Sequence, residues 1–77
     1  MSTAVSSEIG ELSLLVNGER HRVPSPCTVE GLLRRLTLER RRVAVAVNRD
    51  VVPRSAFPTH QLASDDRVEI LEAVGGG

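Results

Sequence analysis

The sequence has no lysine, no tryptophan and no tyrosine, a single phenylalanine (Phe57) and a single cysteine (Cys27). Without lysine the chain offers no side-chain amine for a Schiff base, for a phosphate-binding loop or as an acceptor of isopeptide attachment. One cysteine excludes an internal disulfide and fits a reducing cytoplasm. A lone aromatic cannot build the stacking platforms of single-strand nucleic-acid binders. Ten arginines offset ten acidic residues, which argues against a chain whose business is to neutralise phosphates or coat an anionic membrane. No apolar run approaches the ~20 residues of a membrane span, and Met1 to Ser7 shows neither the basic start nor the hydrophobic stretch of a secretory signal. At 77 residues the chain is one domain at most, too small to enclose an active-site cavity of the usual ~300 Å³ or more. Size therefore argues against a self-contained enzyme.

What is present has a clear order. Residues 1–10 are Ser-rich without periodicity and read as a flexible N-terminal arm. From Glu11, Leu12, Leu14 and Val16 alternate with Ser13, Leu15 and Asn17, the period of a strand with one buried face. Asn17-Gly18 is a hairpin turn, because both residues tolerate the positive φ of a type I′ turn. A more polar strand, Glu19 to Val23, returns, and Pro24 and Pro26 stop the ladder. Thr28 is placed to cap a helix on which Val29, Leu32, Leu33 and Leu36 form one apolar stripe. Thr37 to Arg42 reads as a polar connector. Val43 to Val47 is a strand with valine on one side and alanine on the other, Asn48-Arg49-Asp50 a turn, and Val51-Val52 a short strand ended by Pro53. Arg54 to Ser64 is irregular, with Leu62 anchoring it to the core. Ser64-Asp65-Asp66 is a turn, and Arg67 to Ala73 is the last strand, with Val68 and Ile70 inward.

The order β-β-α-β-β-β predicts a two-layer α+β domain over residues 11–74, with one main helix packed on one face of a mixed four- to five-stranded sheet. The first and last strands are expected side by side at the centre, running parallel, which is the β-grasp arrangement. If Leu12, Leu14, Val68 and Ile70 face the helix, Leu15 and Leu71 point away, beside Ala44 and Ala46. That gives an exposed apolar patch, and Leu15 and Leu71 are the candidate partner-binding surface.

Catalytic constellations are not evident. His21 and His60 stand alone, with no second ligand at metal spacing, so no metal site is expected. Ser55 and His60 are near in sequence but lack an orienting acid and an oxyanion hole. Cys27 precedes a helix, a place that can lower a thiol pKa, although a buried structural thiol is the simpler reading. Arg34, Arg35, Arg40, Arg41 and Arg42 make the densest basic stretch, either a solvated helix end or a docking surface for an acidic partner.

The sharpest feature is Gly75-Gly76-Gly77. Glycine fills ~7% of positions, so three in a row at a given place arise by chance about three times in ten thousand. Residues 75–77 carry no side chains and are free in φ, so they suit a narrow channel that presents the Gly77 carboxylate to a partner's active site. Chemistry located there belongs to a carrier or a modifier rather than to an enzyme.

Several stretches taken together resemble the ThiS family of thiamine-biosynthesis sulfur carriers. They are Val16-Asn17-Gly18-Glu19, Thr28-Val29-Glu30-Gly31-Leu32-Leu33, Val45-Ala46-Val47-Asn48, Val52-Pro53-Arg54-Ser55, Asp66-Arg67-Val68-Glu69-Ile70 and the three final glycines. The likeness runs from about Leu12 to Gly77. Two places depart from it: Ser64-Asp65-Asp66 stands where such proteins often have Asp-Gly-Asp, and Phe57 where a larger aromatic is common.

The resemblance implies a ubiquitin-like β-grasp fold and no bound cofactor. It also implies an E1-like (ThiF-like) adenylyltransferase that uses ATP and Mg²⁺ to adenylate Gly77. A sulfur donor, such as a cysteine desulfurase or a rhodanese-like protein, would then yield a thiocarboxylate whose sulfur passes to a ThiG-like thiazole synthase. Gly77 would carry the sulfur, with Gly75 and Gly76 threading the tail, in the cytoplasm, without nucleic acid or membrane. Other customers stay open, notably a role as the small subunit of molybdopterin synthase. So do a ubiquitin-like modifier joined to amines and a plain interaction module.

Overall fold

The computed structural model describes residues 10–73. The strands are β1 (Glu11–Val16), β2 (Glu19–Pro24), β3 (Val43–Val47), β4 (Asp50–Val52) and β5 (Arg67–Glu72), with one helix, α1 (Val29–Arg35), and a 3₁₀ turn at Arg54–Ala56. The sheet has five strands in the order β2-β1-β5-β3-β4. β1 and β5 pair in parallel at the centre, with Leu15 opposite Arg67 and Val16 opposite Val68, and the hairpins β1–β2 and β3–β4 flank them. This is the expected β-grasp. The residue-10 end of the expected arm, at Gly10, accepts a 2.9 Å bond from the Ser25 amide; the remainder of that arm and the tail Gly75–Gly77 lie outside the described residues.

Two tight turns make the hairpins. Asn17 and Gly18 have φ of 49° and 86°, and Asn48 and Arg49 have 51° and 74°, the positive values a type I′ turn requires at both central positions. Pro24, expected to stop the ladder after Val23, is instead the last residue of β2, opposite Glu11. β2 is an edge strand, where a missing N–H need not break a bond.

The helix begins as expected and is capped more completely than local sequence shows. The Thr28 hydroxyl accepts from the Gly31 amide at 3.0 Å. The Val29 amide donates to the His60 carbonyl and the Glu30 amide to the Phe57 carbonyl, at 3.0 and 2.9 Å. The amides that open a helix have no partner within it, and here the 54–62 loop supplies two of them. Phe57 and Leu62 of that loop are both buried in the core. The sequence pattern predicts Leu62 as the anchor, whereas Phe57 lies in a stretch without periodicity that carries no signal for its burial.

At its other end α1 closes in a Schellman motif rather than a plain connector. The Thr37 amide donates to the Arg34 carbonyl at 3.0 Å and the Leu38 amide to the Leu33 carbonyl at 2.7 Å. Leu38 packs against the core. The core itself joins Leu14, Val16, Val45, Val47 and Val68 from the inner sheet face to Val29, Leu32 and Leu33 of α1. Leu12, Leu36 and Ile70, expected inward, are partly buried and packed against its margin. No buried side-chain N or O among the described residues lacks a partner.

Thr37 closes this motif with φ of 58°, a left-handed conformation that costs a β-branched residue roughly 1–2 kcal/mol and glycine almost nothing. Thr37→Gly is therefore expected to raise the unfolding free energy by about 1 kcal/mol, seen as a higher urea midpoint with an unchanged slope.

Candidate functional site

The last strand is where the sequence and the fold place function. β5 runs between β1 and β3 and is bonded on both sides. Its outer neighbours are two asparagines at the two hairpin turns. The Asn17 side-chain amide donates to the Ile70 carbonyl at 3.1 Å, and its oxygen accepts from the Ile70 amide at 2.8 Å. The backbone ladder, Leu15 N–H to Asp66 and Asn17 N–H to Val68, is thus continued by a side chain after β1 has turned away. At the start of β5, the Asn48 oxygen accepts from the Arg67 amide at 3.0 Å while its Nδ2 donates to Asp66 at 2.9 Å. Asp66 also accepts from the Ala63 amide at 2.8 Å, closing the preceding turn. Beyond β5, the Ala73 amide donates to the Arg42 carbonyl at 2.8 Å. The strand that leads to the glycines is therefore held along its whole length.

The sheet face turned away from α1 carries a shallow groove of about 830 Å³. Leu15 and Leu71 both line it, with Ala44 and Ala46 as its small floor. Leu71 is 75% exposed, whereas Leu15 is half-buried. Two features escaped the sequence reading. Val51, 78% exposed on the edge strand β4, adds a third large apolar wall, and Arg67 and Glu69 stand within the same groove, so the surface is amphipathic rather than purely apolar. Strict alternation along β4 and β5 carried that signal, since Val52 and Val68 are buried and their neighbours must face out.

The arginines expected as one basic patch have separate surroundings. Arg34 lies 3.6 Å from Glu30, one helical turn away, and Arg35 is the charge acting on Cys27. Arg41 pairs with Glu72, and Arg42 holds Ala73. His21 approaches Glu19 at 3.6 Å, and the His60 carbonyl serves the helix start. Among the described residues no three His, Cys, Asp or Glu side chains gather to hold a metal ion. No described helix is long and apolar enough to cross a membrane.

Cys27 is buried and its thiol donates to the Thr28 carbonyl at 3.4 Å. Burial pushes its pKa up, partly offset by the Arg35 guanidinium. The thiolate is disfavoured, which is the structural rather than the reactive reading.

A central parallel pair of the first and last strands, flanked by two hairpins and covered on one face by one helix, defines a β-grasp domain of the ubiquitin-like kind. The chain matches the model of the ThiS family over residues 9–77. It is 33% identical to the thiamine biosynthesis protein (ThiS) of Geobacter metallireducens, whose crystal structure superposes with a TM-score of 0.72, covering 86% of this chain and all of that one. It is 36% identical over 66 residues to the thiazole synthases of Paramagnetospirillum magneticum and Magnetococcus marinus, covering 86% of this chain and 20% of each of those proteins. An uncharacterized protein, ycf40, of Porphyra purpurea is 32% identical over 86% of this chain and 93% of its own length. The chain belongs to the ThiS family. It spans about a fifth of the length of the thiazole synthases it matches.

Two outcomes follow for these residues. Asn17→Gly keeps the positive φ of the turn and removes only the side-chain brace, so hydrogen exchange at the Ile70 amide should quicken about tenfold or more while the buried Val68 amide keeps its protection. For Cys27, a raised native pKa means that between the unfolded and native values the unfolded chain has already lost its proton. Stability is therefore full below the unfolded pKa and falls as pH rises through the native one. Cys27→Ser or Cys27→Ala should flatten the alkaline limb of a stability–pH curve measured by urea unfolding.

Proposed function

We propose that the chain is a sulfur carrier for assembly of the thiazole moiety of thiamine, and that its reacting group is the Gly77 carboxylate. The observation that carries this reading is the placement of β5. The best-braced strand of the sheet leads directly to Val74-Gly75-Gly76-Gly77, within a chain of the ThiS family. A carrier needs a body that does not yield when its end is handled, and an end without side chains.

An E1-like (ThiF-like) adenylyltransferase would bring the Gly77 carboxylate oxygen to the α-phosphorus of ATP, with Mg²⁺ on the phosphates and pyrophosphate leaving. The acyl adenylate is an electrophile at carbon. A sulfur donor such as a cysteine desulfurase or rhodanese-like protein would supply the nucleophile as the outer sulfur of a cysteine persulfide. AMP departs with the former carboxylate oxygen, leaving an acyl disulfide. A thiol reductant then cleaves the S–S bond, forming a disulfide with the donor sulfur and releasing the thiocarboxylate. Its sulfur is softer and more nucleophilic than the oxygen it replaced, which suits delivery to a ThiG-like thiazole synthase. ATP and Mg²⁺ belong to the partner, and this chain supplies the carbonyl carbon and its leaving oxygen. Gly75 and Gly76 make the threadable stretch. The likeness to thiazole synthases favours that customer over molybdopterin synthase or attachment to amines. The groove between Leu15, Val51 and Leu71 is the surface we assign to partner docking, since large apolar side chains beside a small-residue floor supply affinity at an interface.

Intact mass after incubation with the adenylyltransferase, ATP and a sulfur source should rise by the exchange of one oxygen for one sulfur, and removal of Gly77 should abolish the gain. A product joined to a lysine amine instead would make the chain a modifier. Leu71→Glu, at an exposed position, should leave the fold intact and raise the KM of the adenylyltransferase for this chain about tenfold.

A further inference from the structure

The end of the sheet from which the chain departs is rimmed by arginine. Arg42 lies alongside Ala73 through the backbone bond between them, and Arg54, brought there by the 3₁₀ turn after β4, lines the same hollow of about 310 Å³ as Arg42, Leu71 and Ala73. The acidic residue at this place, Glu72, is already paired with Arg41. Arg42 and Arg54 are both exposed, and neither forms an ion pair within the described residues. Two arginines from different elements thus line one hollow, and neither is ion-paired among the described residues.

Resting on the carrier reading above, we propose that Arg42 and Arg54 form a basic collar at the root of the tail. The collar docks Asp and Glu side chains on the rim of the site that receives Gly77 in the adenylating enzyme. Val74 to Gly77 reach at most about 14 Å when fully extended. An enzyme acting on Gly77 must therefore bring its channel mouth against the tail root. What meets the collar there is desolvated or not according to its charge. Carboxylates match the planar guanidinium fork with paired hydrogen bonds, whereas a basic rim would be repelled. Nucleic acid is the poorer fit, since the chain as a whole carries no net charge and no aromatic platform adjoins the collar. The apolar groove supplies binding energy, and the collar supplies association rate and orientation, the part that charge at an interface rim controls.

The test is steady-state adenylation by the purified adenylyltransferase with the carrier concentration varied, at low and at high NaCl. The variants are Arg42→Glu/Arg54→Glu, the milder Arg42→Gln/Arg54→Gln, and Arg49→Glu, whose change of net charge equals that of the glutamine pair, as a control at the far end of β3, with circular dichroism confirming that each is folded. At low salt the reversed pair should raise KM for the carrier about tenfold or more with kcat unchanged. The glutamine pair should fall between it and the wild type, and the gap should narrow at high salt, where exposed charges are screened. Arg49→Glu should behave as wild type. Equal KM values with normal turnover overturn the collar and leave the carrier reading standing, as does an equal penalty in Arg49→Glu or a gap that salt does not narrow. No adenylate from the wild-type chain overturns both.

Discussion

Pairing the last strand with the first, in parallel, at the centre of the sheet is the constraint on which the remainder of this structure depends. β5 is far from β1 in sequence, so that contact carries the cost of closing almost the whole chain. It is also short, with two residue pairs in the β1–β5 register. The antiparallel ladder to β3, from Val43–Glu72 to Val47–Val68, supports it from the other side. Asn17 and Asn48 then complete it. Each takes a positive φ at a hairpin turn, which asparagine tolerates better than most residues. Each also offers a side-chain amide that donates and accepts as a peptide group does. One residue thereby makes the turn and braces the strand that the turn would otherwise leave behind.

That arrangement divides the sheet into two faces with different tasks. The inner face, sealed by α1 and by the 54–62 loop, holds the core. The outer face keeps Leu71 and Val51 in solvent, an exposure that folding does not require and that association can use. Arg67 and Glu69 interrupt it, so an occupant must match a charge pattern as well as an apolar outline. Leu71 lines both this groove and the hollow edged by Arg42, Arg54 and Ala73. In the carrier reading we propose, the docking groove and the basic collar are neighbours, and the chemistry is left to the protein that receives the tail.

The helix shows how closely the non-regular parts are tied to this plan. Its first amides are satisfied by Thr28 and by carbonyls of Phe57 and His60, and Leu62 N–H donates to the Cys27 carbonyl at 2.8 Å. The loop that caps the helix also carries Phe57 and Leu62 into the core and brings Arg54 to the hollow that Arg42 lines. A segment without regular structure therefore links the inner layer to the tail root.

The amino-acid order alone determined the element sequence, the Asn17-Gly18 turn, the Thr28 cap, the inward set of β1 and β3 and the family likeness. All of these are written in short-range patterns: a period of two or of 3.6, a side chain able to cap, a residue able to take positive φ. The same alternation implied an outward Leu15 and Leu71. Tertiary structure alone decided that Phe57 is buried and Leu38 packs partly buried against the core, that Val51 joins the outer groove, that Asn17 reaches Ile70 and that Arg54 and Arg42 line one hollow. These contacts join residues far apart in sequence or lie in segments with no period, and they depend on strand register and on how layers close. The two-residue turns fix register within each hairpin, but no local pattern encodes the register of β5 against β1 and β3, because those strands are joined by long connections.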